Sequence, residues 1–220
     1  MPKIIKPNGY ISQHFGENGN SWYKDHGLLG HPATDIVNGY GSDVLSLMRG
    51  KAYKVFKTPN LTSDNAQAVF TLCQDIDGNW YEIVYFHLSE VEINEGDTVY
   101  EYEMVGKEGN SGTVYSGGVL VTEEQKRAGS QAGHHVHYQK RPVFRCAPGN
   151  GNFYEYLTTR DGNFYKDADG YTYKITNYQN GYNGCTDMEP DFYIPTPIQQ
   201  IGFFTKLVEF FKSKFSTIHA

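Results

Sequence analysis

The sequence predicts a mainly β protein of antiparallel strands that ends in one amphipathic helix. Three observations carry this. Tyr (18), Phe (13) and Gly (24) are abundant among the 220 residues, a mix that suits short strands joined by tight turns better than a helical bundle. Two apolar stretches, 66–74 and 79–88, flank Asp75-Ile76-Asp77-Gly78, and Asp77-Gly78 supplies the residue types that tolerate positive φ in a hairpin turn. A sustained helical period occurs near the C-terminus, where Ile201, Phe204, Leu207, Val208, Phe211 and Phe215 recur every three or four positions.

Taken in order, residues 43–56 read as a strand pair or a bent strand around Gly50. The hairpin that follows delivers His87 to the far end of a strand. Residues 93–112 alternate between glycines as short strands and turns, whereas 113–132 are polar and aperiodic and read as an exposed loop. That loop leads into Gly133-His134-His135-Val136-His137-Tyr138, whose alternation places His135 and His137 on one strand face.

Residues 142–194 are dense in aromatics, Gly, Asn and Asp, with a second hairpin expected around Asp169-Gly170. Their tyrosines suit either cross-strand packing that extends the sheet or stacking on sugar rings. Pro195 and Pro197 mark a linker, and the helix over 198–215 can dock on the domain, bind a partner or lie on a membrane surface. The division expected is a catalytic domain over 1–141, an aromatic-rich extension over 142–194 packed on it, and the linker with its helix over 195–220.

A formal net charge of −6 without a basic stripe argues against nucleic acid as a partner. Cys73, Cys146 and Cys185 form no CxxC pair and are too few for a disulfide framework, leaving one bridge, Cys146 to Cys185, open. The first residues lack the apolar run of a signal peptide, and no stretch approaches the ~18 apolar residues of a membrane span. Work outside a cytoplasm then requires delivery by lysis, in a virion or by an unseen export route.

The chemistry-bearing residues are His and Asp. His31-Pro32-Ala33-Thr34-Asp35 can bring an imidazole and a carboxylate to one ion on a turn or bent strand, although in isolation the same pattern suits a surface turn. Of His135 and His137, one can bind metal while the other stands beside it. Two His and one Asp make the three protein ligands of a catalytic zinc site, which keeps its remaining position for water. A structural zinc would be closed by a fourth ligand, usually Cys, and no Cys lies in these motifs.

The order of the motifs resembles the lysostaphin and LytM type of zinc endopeptidases that cut peptidoglycan peptides. The pieces are Ile11-Ser12-Gln13-His14-Phe15-Gly16, His31 to Asp35, Tyr85-Phe86-His87-Leu88-Ser89, Gly96-Asp97-Thr98-Val99, Gly109-Asn110-Ser111-Gly112 and Gly133 to His137. The resemblance implies an antiparallel β metallopeptidase with a substrate groove, Zn²⁺ on His31, Asp35 and His137, catalytic roles for His135 and His87, and action at the bacterial cell wall. Imidazoles near neutral pKa suit proton transfer there.

The chain departs from that pattern in three places. Ala33 stands where the family has Gly, and His134 stands where it has Pro, pointing away from the metal face by alternation. About 20 residues, 113–132, replace a short link and are expected to border the groove. His14 and His26 lie near the motifs without matching them. Two other readings remain open at this level: a binding or regulatory module of the same fold without catalysis, and a peptidase for a structural protein.

Overall fold

The structure is a computed structural model that describes residues 4–17, 21–57, 66–148 and 152–193. The expected linker and C-terminal helix lie outside these residues. The chain is mainly β, and its principal sheet contains β1 (Tyr10–Gln13), β2 (Thr34–Val37), β3 (Gly50–Phe56), β4 (Gln67–Gln74), β5 (Trp80–Leu88), β6 (Thr98–Val99), β7 (Val136–Cys146) and β8 (Thr172–Ile175). The spatial order is β1-β2-β7-β5-β4-β3-β6, with β8 also paired to β7. Every pairing within it is antiparallel.

β7 organises this sheet. One of its edges pairs with β5 from His137 to Val143; the other gives Val136–Tyr138 to β2 and Val143–Cys146 to β8. Its alternation buries Val136, Tyr138 and Lys140 on one side and leaves His137, Gln139 and Arg141 partly exposed on the other. Lys140 is neutralised by an ion pair with Asp191 and also donates to Asp187 O at 2.7 Å, which ties residues 187–191 to the sheet.

Each sheet face has its own core. Ile36, Val69, Ile83, Tyr85, Val136 and Tyr138 pack with Leu47, Leu88 and Val105 on one face, where a small sheet of Asp43–Leu45, Met104–Lys107 and Glu90–Val91 lies. Tyr53, Phe70, Leu72, Val84 and Val143 form the other core with Leu157, Tyr173 and Ile175 from the later part of the chain. Full burial of such side chains stabilises by about 1.5–3 kcal/mol each relative to exposure.

Local differences from the sequence reading have identifiable causes. Asp43–Leu45 and Gly50–Phe56 join different sheets; at Gly50 a Cβ would lie 2.6 Å from Cys73 Sγ and 2.7 Å from Leu72 O, so this close strand approach needs glycine. The β4–β5 turn spans Asp75 to Asn79, because the Asp75 carboxylate accepts from the backbone N–H of Asp77 and Asn79 at 3.0 and 2.8 Å. Segment 113–132 is not irregular throughout: Tyr115–Ser116 and Val119–Leu120 pair, and Glu123–Arg127 is a helix. Thr122 and Gln125 form its capping box, a Thr-x-x-Gln signal present in the sequence.

The turn at Asp169-Gly170 is present, but only its second arm is a strand, and β8 pairs with β7 rather than with residues 163–166. All three cysteines are free thiols. Among the described residues no helix is long and apolar enough to cross a membrane.

Candidate metal centre and active site

Asp35 and His137 are register partners across β2 and β7, so their side chains leave one sheet face about 5 Å apart at Cβ. His31 arrives from the segment before β2, where its backbone N–H donates to Glu17 O at 2.9 Å and its carbonyl accepts from Gly16 N at 2.8 Å. Its ring is oriented by Nδ1, which donates to His14 O at 3.3 Å. These loop contacts aim His31 Nε2 at the strand pair.

Three atoms converge. His31 Nε2 lies 3.2 Å from Asp35 Oδ1 and 3.1 Å from His137 Nδ1, and His137 Nδ1 lies 2.9 Å from Asp35 Oδ1. Ligands at tetrahedral corners with bonds of 2.0–2.1 Å stand about 3.3 Å apart, so the triangle matches three corners of such a site. Asp35 Oδ1 is buried with no hydrogen-bond partner. A buried carboxylate oxygen facing two imidazole nitrogens is costly without a cation between them. The donor set therefore fits a divalent metal.

Two more imidazoles flank the triangle. His135 N donates to Gly109 O at 3.0 Å and ring Nδ1 to Gly133 O at 2.8 Å, which leaves Nε2 3.5 Å from Asp35 Oδ2. His87 Nδ1 donates to Ser111 O at 2.7 Å. The two rings are 4.7 Å apart, and His87 is 5.6 Å from the His137 ring. His87 has φ of 66° at a bulged end of β5, an uncommon backbone state that histidine tolerates better than most residues.

Burial holds the His87 ring well below the ordinary histidine range, and His135 and His137 push it the same way. Burial also lowers His137, against the opposing pull of Asp35. For Asp35, burial opposes ionisation, but the nearby His135 and His137 outweigh it and keep the carboxyl well below its usual range. Neutral imidazole and ionised carboxylate are the forms that bind metal.

All five residues singled out in the sequence, His31, Asp35, His87, His135 and His137, are thus brought together. His87, His135 and His137 also place donor atoms within 4.8 Å of one another, so His137 belongs to two clusters, of which only the one with His31 and Asp35 contains a carboxylate. His134 turns away and donates to Glu108 Oε1 at 2.5 Å. His14 pairs with Glu189 at 2.9 Å and His26 stacks on Trp22 at 3.9 Å, so neither joins the cluster. Ala33 is buried and removes no donor.

Sequence reasoning missed Glu108, Gln139 and Ser111. Gln139 follows His137 by two on the same strand face, with Nε2 3.1 Å from His137 Nε2; extending the alternation by one step would have found it. Ser111 acts through its carbonyl, and Glu108 sits in no recognisable motif.

Comparison with curated proteins gives no match. Among solved structures the chain is similar to the antimicrobial peptidase lysostaphin from Staphylococcus simulans, at 18% identity over 64% of this chain and 47% of that one, with a TM-score of 0.42. It thus spans about half of that chain's length. Also similar are LytU, at 16% identity over 86% of this chain and 83% of that one with a TM-score of 0.41, and a zinc-containing peptidase from Vibrio cholerae, at 17% identity over 64% of this chain and 36% of that one with a TM-score of 0.41. The family model of peptidase family M23 matches residues 29–146, more than half of the sequence and the stretch that holds all five cluster residues. This chain belongs to peptidase family M23.

Proposed function

We propose that the chain is a zinc-dependent endopeptidase that hydrolyses peptide bonds of bacterial peptidoglycan, with Zn²⁺ held by His31, Asp35 and His137 and with His135 and His87 as the catalytic histidines. The observation that carries this reading is the triangle of His31 Nε2, Asp35 Oδ1 and His137 Nδ1, in which a buried carboxylate oxygen has no hydrogen-bond partner. The peptidoglycan substrate rests on family membership and on the motif order from Ile11 to His137.

When bound, the metal supplies Lewis acidity to the scissile carbonyl and lowers the pKa of a water. His135 has its Nδ1 proton committed to Gly133 O, so Nε2 is free to accept a proton from the attacking water, and the resulting imidazolium faces Asp35 Oδ2 at 3.5 Å. His87, locked by the Ser111 carbonyl, presents Nε2 as the second proton-handling atom. The proton that His135 Nε2 takes from the water is delivered to the departing amine, directly or by way of His87 Nε2, whose ring lies 4.7 Å from that of His135. The site of action is the bacterial cell wall.

The test is loss of turbidity of purified bacterial walls with the zinc-loaded protein, scored together with newly exposed amino groups. The expected result is clearing with new amino termini, abolished by chelation and by His135→Ala. Clearing that survives chelation, or clearing without new amino groups, would overturn the reading.

A further inference from the structure

The sheet face that carries His137 continues past the metal centre into a second pocket. On β7, His137, Gln139 and Arg141 share that face. Across the sheet, the His137 ring is 5.8 Å from Phe86, Phe86 is 5.3 Å from Phe70, and Lys54 Nζ stands 4.9 Å over the Phe70 ring. An aromatic floor therefore runs from the metal centre to Lys54. At its far end a cavity of about 330 Å³ is lined by Tyr53, Lys54, Arg141, Tyr154, Tyr156 and Tyr178, among others.

A bulge in β3 builds this pocket. Ala52 pairs with Thr71 and Lys54 with Phe70, so Tyr53 is the extra residue. Ala52 and Val55 belong to the core on the opposite face, whereas Tyr53 packs in the core of this face and Lys54 lies over its rings. Regular alternation would have sent one of the pair to each side; the bulge sends both into the pocket.

Of the acids that act on Lys54, Glu82 and Glu95, neither forms part of the cavity wall. Two cations and no acidic residue line the cavity among the described residues. Beneath it the buried Glu82 is engaged by Arg141 and by the Tyr53 hydroxyl, which neutralises Arg141. Lys54 makes no ion pair with a described residue; its contacts are the Phe56 and Phe70 faces at 5.5 and 4.9 Å. A cation partly withdrawn from water above aromatic rings, beside a cavity without acids, complements an anion.

We propose that this pocket is a substrate subsite for a carboxylate of the cell-wall peptide, with Lys54 as its recognition residue. The proposal rests on the endopeptidase reading for the identity of the substrate. Lys54 is in register with Phe70, Val84 and Gln139 across β4, β5 and β7, so three strand spacings of about 4.8 Å and two residues of ~3.3 Å along the strand set it about 16 Å from His137. The carboxylate therefore belongs to a residue about five positions from the cleaved bond in an extended peptide. The tyrosines close the pocket around the aliphatic stem that bears the carboxylate.

The experiment uses the full-length, zinc-loaded protein and synthetic cross-linked stem peptides, with their carboxylates free in one sample and amidated in the other. Binding is measured by calorimetry and cleavage by product analysis, for wild type and Lys54→Gln. The expected result is about tenfold weaker binding of the amidated peptide to wild type, and the same loss for the free acid in Lys54→Gln, as for removal of one charge-assisted hydrogen bond. Equal affinity for both peptides, or a preference that persists in Lys54→Gln, overturns the subsite. Selective binding without cleavage keeps the subsite and sinks the peptidase reading instead. A zinc content and unfolding midpoint equal to wild type show that Lys54→Gln is folded.

Discussion

His134 donates to Glu108 Oε1 at 2.5 Å, and the other oxygen of the same buried carboxylate accepts from Asn38 N at 2.8 Å and Gly39 N at 3.1 Å. Glu108 thereby joins the chain leaving β2, which carries Asp35, to the residue before His135. Replacing it by Ala leaves two backbone donors and one imidazole without their acceptor. The three donors sit on exposed or half-buried residues that water can reach, so the cost is the net loss of three hydrogen bonds at about 0.5–1.5 kcal/mol each, discounted for hydration. Glu108→Ala is expected to lose roughly 1–3 kcal/mol in urea unfolding, and Glu108→Gln distinctly less. A loss below about 0.5 kcal/mol for the Ala variant, within the range of ordinary surface changes, would show that this carboxylate does not hold the two segments together.

His87 and His135 are expected to separate catalysis from metal binding. Their Nδ1 atoms are held by the carbonyls of Ser111 and Gly133, and removing either ring leaves the triangle of His31, Asp35 and His137 in place. His87→Ala and His135→Ala should each retain about one zinc per chain while kcat falls by about 10²–10⁴, the usual contribution of a general acid or base. Loss of zinc in either variant would move that residue among the ligands.

Lys126 anchors the segment 113–132. It is 5% exposed, and Nζ donates to Gly112 O, while Asn110 Nδ2 donates to Ser130 O and Ala132 O at 2.8 and 3.1 Å. The tethered stretch 110–112 includes the carbonyl that orients His87. Lys126→Met removes the bond and keeps most of the apolar stem, so faster proteolytic cutting within 113–132 is expected, with kcat reduced more than KM is raised. An unchanged digestion pattern would mean that the segment is held by other contacts.

Arg145 pairs with Asp167 at 2.6 Å and with Asp169 at 2.5 Å, at the junction of β7 and the later part of the chain. Burial opposes ionisation of Asp167, but Arg145 and the hydrogen bonds from Tyr171 and Tyr173 outweigh it and hold its pKa at about 2. A carboxyl whose folded pKa lies below the unfolded value, about 3.9, adds stability that is complete above the unfolded pKa and is lost as pH falls through the folded one. Between pH 5 and 2 the stability of wild type should therefore fall more steeply than that of Asp167→Asn in urea unfolding. Parallel pH profiles for the two proteins would contradict this.

Much of the site was legible because its spacing is local. His135 and His137 are two apart on a strand, His31 and Asp35 four apart around a turn, and His87 ends a hairpin arm marked by Asp77-Gly78. What stayed hidden depends on tertiary placement. Glu108 is a lone acid whose three partners come from residues 38, 39 and 134, and the bulge at Tyr53 is invisible in an alternation that reads equally well without it. The pairing of β8 with β7 was misread as a local hairpin because the turn at Asp169-Gly170 is present while its second arm finds a more distant neighbour. The helix Glu123–Arg127 was overlooked for a different reason: at five residues it shows no periodicity, and only its capping box reveals it.

The most direct test of the metal centre is elemental analysis of the purified protein after dialysis against trace zinc, for wild type and for His137→Ala. One zinc per wild-type chain and near-complete loss in the variant are expected, because the other two donors, His31 Nε2 and Asp35 Oδ1, cannot complete a three-ligand site alone. A wild type that takes up no zinc, or a His137→Ala protein that still binds it with full stoichiometry, would contradict the assignment of His31, Asp35 and His137.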